Sequence, residues 1–291
     1  MASNIEVVTV IGTGVLGSQI AYQTAYCGYS VVAYNVNDKA LDAGRANFRA
    51  LAGRYEREVE GAAGGPAQAA LTRVSYSSDL ATAVSDSDLV IEAAPEKLDL
   101  KRDLYEQLNR HAPAKTIFAT NSSTLLPSDL AASTGRPERF VALHFADQVW
   151  THNIGEVMGH PGTDPAVYEA VVEFAQSIGM EPIELKREQP GYVSNSLLVP
   201  LMFAAVDLVV NEVADPEMID KTWRIATGAP DGPLRIVDSI GLRTTYNIAA
   251  ASSDEKNQAR AKYLKEHYVD KGKLGRASGE GFHKYPVEEA A

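Results

Sequence analysis

The chain has 291 residues, 45% of them hydrophobic and 22% charged, the balance of an ordinary globular protein long enough for roughly two domains. Its net charge of −11 argues against a nucleic-acid binder, whose affinity comes from lysines and arginines neutralising phosphates. A single cysteine, Cys27, excludes an internal disulfide and points to a reducing, cytoplasmic setting.

Residues 1–7 carry no basic, apolar leader pattern. The run "IEVVTVIG" (5–12) is β-branched, a helical pattern follows, and "YSVVAYN" (29–35) is a second strand. This is a βαβ unit, so a parallel sheet covered by helices on both faces is expected. Three closely spaced glycines, Gly12, Gly14 and Gly17, end the first run and open the helical pattern. At that spacing the first permits a tight turn, the second lets backbone approach a pyrophosphate, and the third lets helix and strand pack closely. The turn from Gly12 through Val15 and Leu16 to Gly17 is therefore the expected dinucleotide-binding segment. Asn35 stands where such units place an acidic residue for the adenosine ribose. It keeps one acceptor but lacks the charge that repels a 2′-phosphate, and no arginine follows to clamp one. NAD is favoured, and NADP stays open.

Further along, "EGAAGGPAQAA" (60–70) reads as the tip of a helical hairpin. Strands are expected at "TRVSYS" (72–77), "SDLVIEAA" (87–94), "KTIFATNSS" (115–123), "RFVALHF" (139–145) and "MEPIEL" (180–185). Helical patterns cover 97–111 and 164–179, the latter with an Asp164-Pro165 start and Gly179 at its end. From Pro190 the strand signals stop, and 191–270 reads as consecutive helices. The domains are placed at 1–189 and 190–291: a Rossmann-type, doubly wound α/β domain and a smaller all-helical one. Within the second, "LLVPLMFAAVDLVV" (197–210) is too short and interrupted to span a bilayer and reads as a buried helix, so no membrane partner is expected. The tail "PVEEAA" is expected to fray.

Chemistry-bearing residues concentrate at strand ends. "ATNSSTLLP" (119–127) ends a strand in hydroxyls and an amide, with Asn121 and Ser123 among them; a helix N-cap is the plainer use of such residues. His144 ends the next strand, where doubly wound sheets open their ligand crevice. Glu156, in "NIGEVMGH", is a candidate partner for that imidazole or else a solvated carboxylate. Asn195 falls on the first helix of the second domain. No metal site is expected.

Taken together, these segments resemble the 3-hydroxyacyl-CoA dehydrogenase family, 3-hydroxybutyryl-CoA dehydrogenases included, over nearly the whole chain. The blocks "VIGTGVLGSQIA", "DLVIEAAPE", "FATNSS", "RPERFVALHF", "EQPGYVSNSLLVP", "GAPDGPLRIVDSIGLRTT" and "GKLGRASGEGFHKYP" occur in the family's order and spacing. The resemblance implies NAD-dependent hydride transfer at C3 of a 3-hydroxyacyl thioester. It implies His144 as the general acid/base, Glu156 as its orienting carboxylate, Ser123 bonding the reacting oxygen and Asn195 holding substrate. Glu96 and Lys101 fall where the family meets the nicotinamide side of the cofactor, and Asn121 is placed with them. A homodimer built by the helical domain is also implied.

Two stretches depart from the family's pattern. Where most members continue after the histidine with Phe-Asn-Pro, this chain has "FADQVWTHNIGEV", with Asp147, Gln148, Trp150, His152 and Asn153 in unusual places. "RYEREVEGAAGG" (54–65) lacks the lysine-rich lid that meets CoA, offering Arg54 and Arg57 among Glu56, Glu58 and Glu60. Three alternatives follow: the same chemistry on an acyl-carrier-protein thioester, on a free 3-hydroxy acid, or a non-catalytic NAD-binding protein.

Overall fold

The computed structural model describes residues 5–286; the tail expected to fray lies, from residue 287 on, outside them. Two compact units divide between Val193 and Ser194. The first alternates strands and helices: β1 (Val7–Ile11), α1 (Val15–Tyr26), β2 (Ser30–Tyr34), a hairpin of α2 (Asp38–Glu58) and α3 (Pro66–Leu71), β3 (Val74–Ser77), α4 (Leu80–Val84), β4 (Leu89–Glu92), α5 (Leu98–His111), β5 (Ile117–Thr120), α6 (Pro127–Leu130), β6 (Phe140–Phe145), β7 (Ile154–Met158), α7 (Pro165–Ser177) and β8 (Glu181–Leu185). The strands form one sheet in the order β3-β2-β1-β4-β5-β6-β7-β8. β1 pairs in parallel with both β2 and β4, so the chain direction along the sheet switches there and a crevice opens beyond Ile11.

Alternate residues of each strand face opposite sides of the sheet. Val8 and Val10 join Ile20, Phe48, Tyr55 and Phe174 in one buried cluster. Ile11, Val90 and Phe118 pack on the other face with Tyr105, Leu108 and Phe140. Helix starts follow local chemistry: Asn37 caps α2 by accepting from the Ala40 amide (2.9 Å), and Asp164, followed by Pro165, caps α7 by accepting from Ala166 N–H (2.9 Å).

One strand was not expected from the sequence. Residues 154–158 form β7, antiparallel to β6, and β8 runs parallel to β7. The segment IGEVM carries a glycine and a carboxylate and has no alternating pattern, because four of its five residues are buried. Its strand character comes from pairing partners distant in sequence.

The second unit is helical: α8 (Tyr192–Val210), whose first two residues belong to the first unit, then α9 (Pro216–Thr227), α10 (Pro233–Ile240), α11 (Leu242–Ala250) and α12 (Glu255–His267). α8 is longer than its apolar run suggests, and at 19 residues it is long and apolar enough to cross a membrane by length and composition. The reading of a buried helix needs correction: Met202, Ala205 and Val206 enter the helical core, yet only 22% of the apolar window is buried. Its Asp207 pairs bidentately with Arg260 of α12, at 2.6 Å to both nitrogens. Two buried aspartates hold the end of this unit. Asp220 of α9 accepts from the Leu234 and Arg235 amides, which open α10, and from His283 Nε2. Asp238 accepts from the Phe282 and His283 amides and the Tyr285 hydroxyl.

Candidate active site

The glycine turn has the shape a pyrophosphate requires. Gly12 has φ +102°, and a Cβ there would lie 2.7 Å from Ala93 O. A Cβ on Gly17 would lie 2.1 Å from Gly12 O, so only glycine lets α1 start this close to β1. Gly14 is the N-cap of α1 and supplies no side-chain cap. The first turn of α1, with Val15 72% exposed, is therefore left for an anion at the positive end of the helix. The residues present fit a dinucleotide. At the end of β2, Asn35 Nδ2 donates to Thr13 Oγ1 (2.7 Å) and its Oδ1 accepts from Val36 N–H (2.8 Å). Thr13 thus fixes the amide's orientation, a contribution visible in the sequence only as the residue between two glycines.

Below the turn, at the ends of β4 and β5, lies a buried polar network. Glu92, fully buried, accepts from Lys101 Nζ (2.6 Å), Ala94 N–H (2.7 Å), Thr120 Oγ1 (2.8 Å) and Tyr105 Oη (3.3 Å). Burial, then the Glu92 charge, holds the Tyr105 phenol well above its ordinary range, so it remains a donor. Lys101, 1% exposed, also lies 3.4 Å from Glu96. Burial pushes the Glu96 carboxyl up, but the Ser122 and Thr124 hydroxyls, Lys101 and the Thr124 amide outweigh it and hold it below the usual range. Glu96 thus binds the β5 loop rather than standing free. Asn121 Oδ1 accepts from Phe145 N–H (3.0 Å) and ties the ends of β5 and β6 together.

At the end of β6 the antiparallel register sets His144 directly opposite Glu156 of β7. His144 Nδ1 lies 2.9 Å from Glu156 Oε2, and Nε2 lies 3.2 Å from Ser123 Oγ. A carboxylate only accepts, so Nδ1 carries the proton, and the Nε2 lone pair of the neutral ring faces the serine. The other Glu156 oxygen accepts from Val193 N–H (3.0 Å). His144 is 6% and Glu156 1% exposed. Tyr192, which no sequence signal singled out, stacks on the imidazole at 4.4 Å and 9°. Burial first, and Glu156 second, holds its phenol far above the ordinary range, keeping it neutral. Ser123, His144 and Glu156 are brought together; Asn195, on α8 in the second unit, is not among the residues the first unit assembles.

The unusual loop after β6 is pinned to the helices beside the turn. Gln19 of α1 donates to Asp147 (2.7 Å) and accepts from the Gln148 amide (2.7 Å), where Gln148 has φ +60°. His152 Nδ1 is 2.8 Å from Asp147 O, and the Asn153 amide donates to Gly179 O. Trp150 packs on Tyr55, donates to Glu58 (2.8 Å) and lies beneath the Arg54 guanidinium at 4.6 Å. Arg54 is also bonded to Glu58. One of the two arginines that this segment offers in place of a lysine-rich lid is therefore engaged by its own neighbours.

A nucleotide-binding sheet whose strand ends carry a histidine–carboxylate pair defines a dinucleotide-dependent dehydrogenase. Residues 7–188 match the family described as 3-hydroxyacyl-CoA dehydrogenase, NAD binding domain, and residues 191–285 match 3-hydroxyacyl-CoA dehydrogenase, C-terminal domain. The chain belongs to the 3-hydroxyacyl-CoA dehydrogenase family, and NAD is its cofactor. Among curated relatives, a probable 3-hydroxybutyryl-CoA dehydrogenase of Bacillus subtilis is 33% identical over 97% of this chain and 98% of its own length. The solved (S)-3-hydroxybutyryl-CoA dehydrogenase of Ralstonia eutropha is 30% identical with a TM-score of 0.84, covering 97% of this chain and all of that one. A solved diketoreductase, described as performing substrate-directed dual catalysis of dicarbonyl compounds, is 63% identical with a TM-score of 0.94, covering 97% and 99%.

Proposed function

We propose that the protein interconverts a 3-hydroxyacyl and a 3-oxoacyl compound, with the CoA thioester as substrate, using His144 as general acid/base. The arrangement of Ser123, His144 and Glu156 within hydrogen-bond reach of one another carries this reading. When bound, NAD supplies the hydride acceptor for C3. In oxidation, Nε2 of neutral His144 takes the 3-hydroxyl proton; in reduction the imidazolium returns it to the 3-oxo oxygen. The Ser123 hydroxyl hydrogen-bonds the same oxygen, and the Glu156 carboxylate stabilises the imidazolium and keeps the proton on Nδ1. Asn195 is assigned to substrate from the helical domain. Gly12 to Gly17, Asn35, Glu96, Lys101 and Asn121 are assigned to the cofactor side; the engagement of Lys101 with Glu92 makes it a buried fixed cation there.

A second reading, a CoA-free dicarbonyl or 3-hydroxy acid as substrate, is favoured by the engaged Arg54 and by the 63% identity to a diketoreductase. The test is NADH oxidation with acetoacetyl-CoA and with a small CoA-free dicarbonyl in parallel. A higher kcat/KM for the thioester supports the first reading, and the reverse order the second. Turnover of neither, with saturable NADH binding, would leave a non-catalytic NAD binder.

The chain is also assigned as a homodimer formed by the helical unit. Support comes from the apolar residues that unit leaves exposed, Leu197 at 70% and Ile225 at 75% among them. A monomer mass in light scattering at micromolar concentration would overturn this.

A further inference from the structure

Three consecutive residues leading into α8, Gly191 to Val193, each grip a different part of the site. The Gly191 amide donates to Ser123 O (3.2 Å). Tyr192 lays its ring on the His144 imidazole and donates its hydroxyl to Ser122 O (2.8 Å). The Val193 amide donates to Glu156 Oε1 (3.0 Å). Achieving this puts Tyr192 at φ +54°, the left-handed region that favours glycine. The chain keeps a large side chain there, 1% exposed, in a backbone conformation that glycine would adopt without strain. An outlier of this kind, over-determined by its surroundings, points to a role for the side chain.

We propose that Tyr192 is a positioning residue of the oxidoreduction, its ring holding the His144 imidazole in the plane that directs Nδ1 at Glu156 and Nε2 at the reacting oxygen. This rests on His144 being the acid/base. An imidazole turns easily about χ2, a broad torsion. Hydrogen bonds at its two nitrogens fix the ring's ends, and a flat neighbour at 4.4 Å and 9° fixes its tilt. The hydroxyl bond to Ser122 O in turn anchors the tyrosine to the loop that bears Ser123.

The test compares Tyr192→Phe, Tyr192→Leu and Tyr192→Met, with His144→Gln as reference. Phe keeps the stack and loses the hydroxyl; Leu and Met fill space without a plane. Tyr192→Phe is expected to retain most of the wild-type kcat. Leu and Met should each lower kcat by on the order of tenfold or more, with NADH affinity and substrate KM near wild type. In proton NMR the ring-current shift of the His144 ring protons should persist in Phe and vanish in Leu and Met. If Leu fails to fold, Met and Phe decide alone, and if Met fails as well, the Phe variant decides by the kcat it retains. Wild-type kcat in either Leu or Met, a Phe variant as impaired as they are, or a ring-current shift unchanged by loss of the aromatic ring overturns the proposal. Turnover in His144→Gln would instead refute the acid/base assignment itself.

Discussion

Glu156 Oε2 and His144 Nδ1 face each other at 2.9 Å across the only antiparallel strand pair described in the sheet, and the register of β6 and β7 makes them direct cross-strand neighbours. The position is thus set by backbone pairing, and a change of side chain leaves the frame in place. Glu156→Gln preserves shape and the acceptor for Val193 N–H but removes the charge that stabilises an imidazolium. We expect kcat to fall by roughly 10²-fold, within the usual range for acid–base catalysis, with NADH affinity unchanged and the melting transition retained. A kcat near wild type would show that the carboxylate does not tune the histidine.

The Asn35 amide is tied to Thr13 through Nδ2 and to Val36 through Oδ1, so position 35 itself presents neither a carboxylate nor a cation. NADH should therefore be preferred over NADPH by a modest factor, about tenfold, or about 1.4 kcal/mol. Asn35→Asp loses the donor to Thr13 and can accept from the Thr13 hydroxyl only by drawing it from Ala40 O, and it adds a charge worth roughly 1–4 kcal/mol against a 2′-phosphate. Its kcat/KM ratio should move further toward NADH, mainly through weaker NADPH. A ratio that does not move would place the ribose elsewhere.

Asp238 binds a block 44 to 47 residues further along the chain, accepting from the Phe282 and His283 amides and from Tyr285. Burial raises its carboxyl above the ordinary range, and these three donors only partly offset that. Asp238→Ala would strand buried donors, each costing about 1–3 kcal/mol. Denaturant unfolding should report a loss of roughly 2–4 kcal/mol. Asp238→Asn, which keeps one acceptor, should lose less; equal losses would mean that the donors find other partners.

Asp88 accepts from the Glu6 and Val7 amides and from Lys115. Burial pushes its carboxyl up, but the Lys115 ammonium and the two amides outweigh it and hold the group below its ordinary 3.8. A native value below the unfolded one means that the unfolded chain takes up the proton first. The stabilisation is then complete above the unfolded value and is lost as pH falls through 3.8 to the native value. Asp88→Asn should lower stability at pH 7 by roughly 0.5–1.5 kcal/mol and flatten the acid decline of Tm. A parallel decline in both proteins would contradict this.

Much of this architecture was legible because local chemistry agreed with it: the glycine turn, the Asp164-Pro165 helix start and the β-branched runs that became β1 and β2. His144 was legible as a strand-end residue, and Ser123 as part of a hydroxyl cluster. The pairing that gives His144 its role was not, since β7 has no alternating pattern and its register is set by partners outside it. Tyr192 left no signal because a left-handed tyrosine reads like any other tyrosine; only the preceding Pro190-Gly191 hinted at a turn. Arg54 was visible as a charge, but its commitment to Trp150 and Glu58 depends on a loop 92 to 96 residues away.

The assignment of His144 is tested most directly by His144→Gln, assayed for NADH-dependent reduction of acetoacetyl-CoA and of a CoA-free dicarbonyl, with NADH affinity titrated in the same preparation. We predict that kcat falls by about 10²–10⁴-fold on whichever substrate the wild type accepts, while NADH binds as before. A variant that binds NADH normally and keeps most of its turnover would contradict the assignment of His144 as the proton carrier.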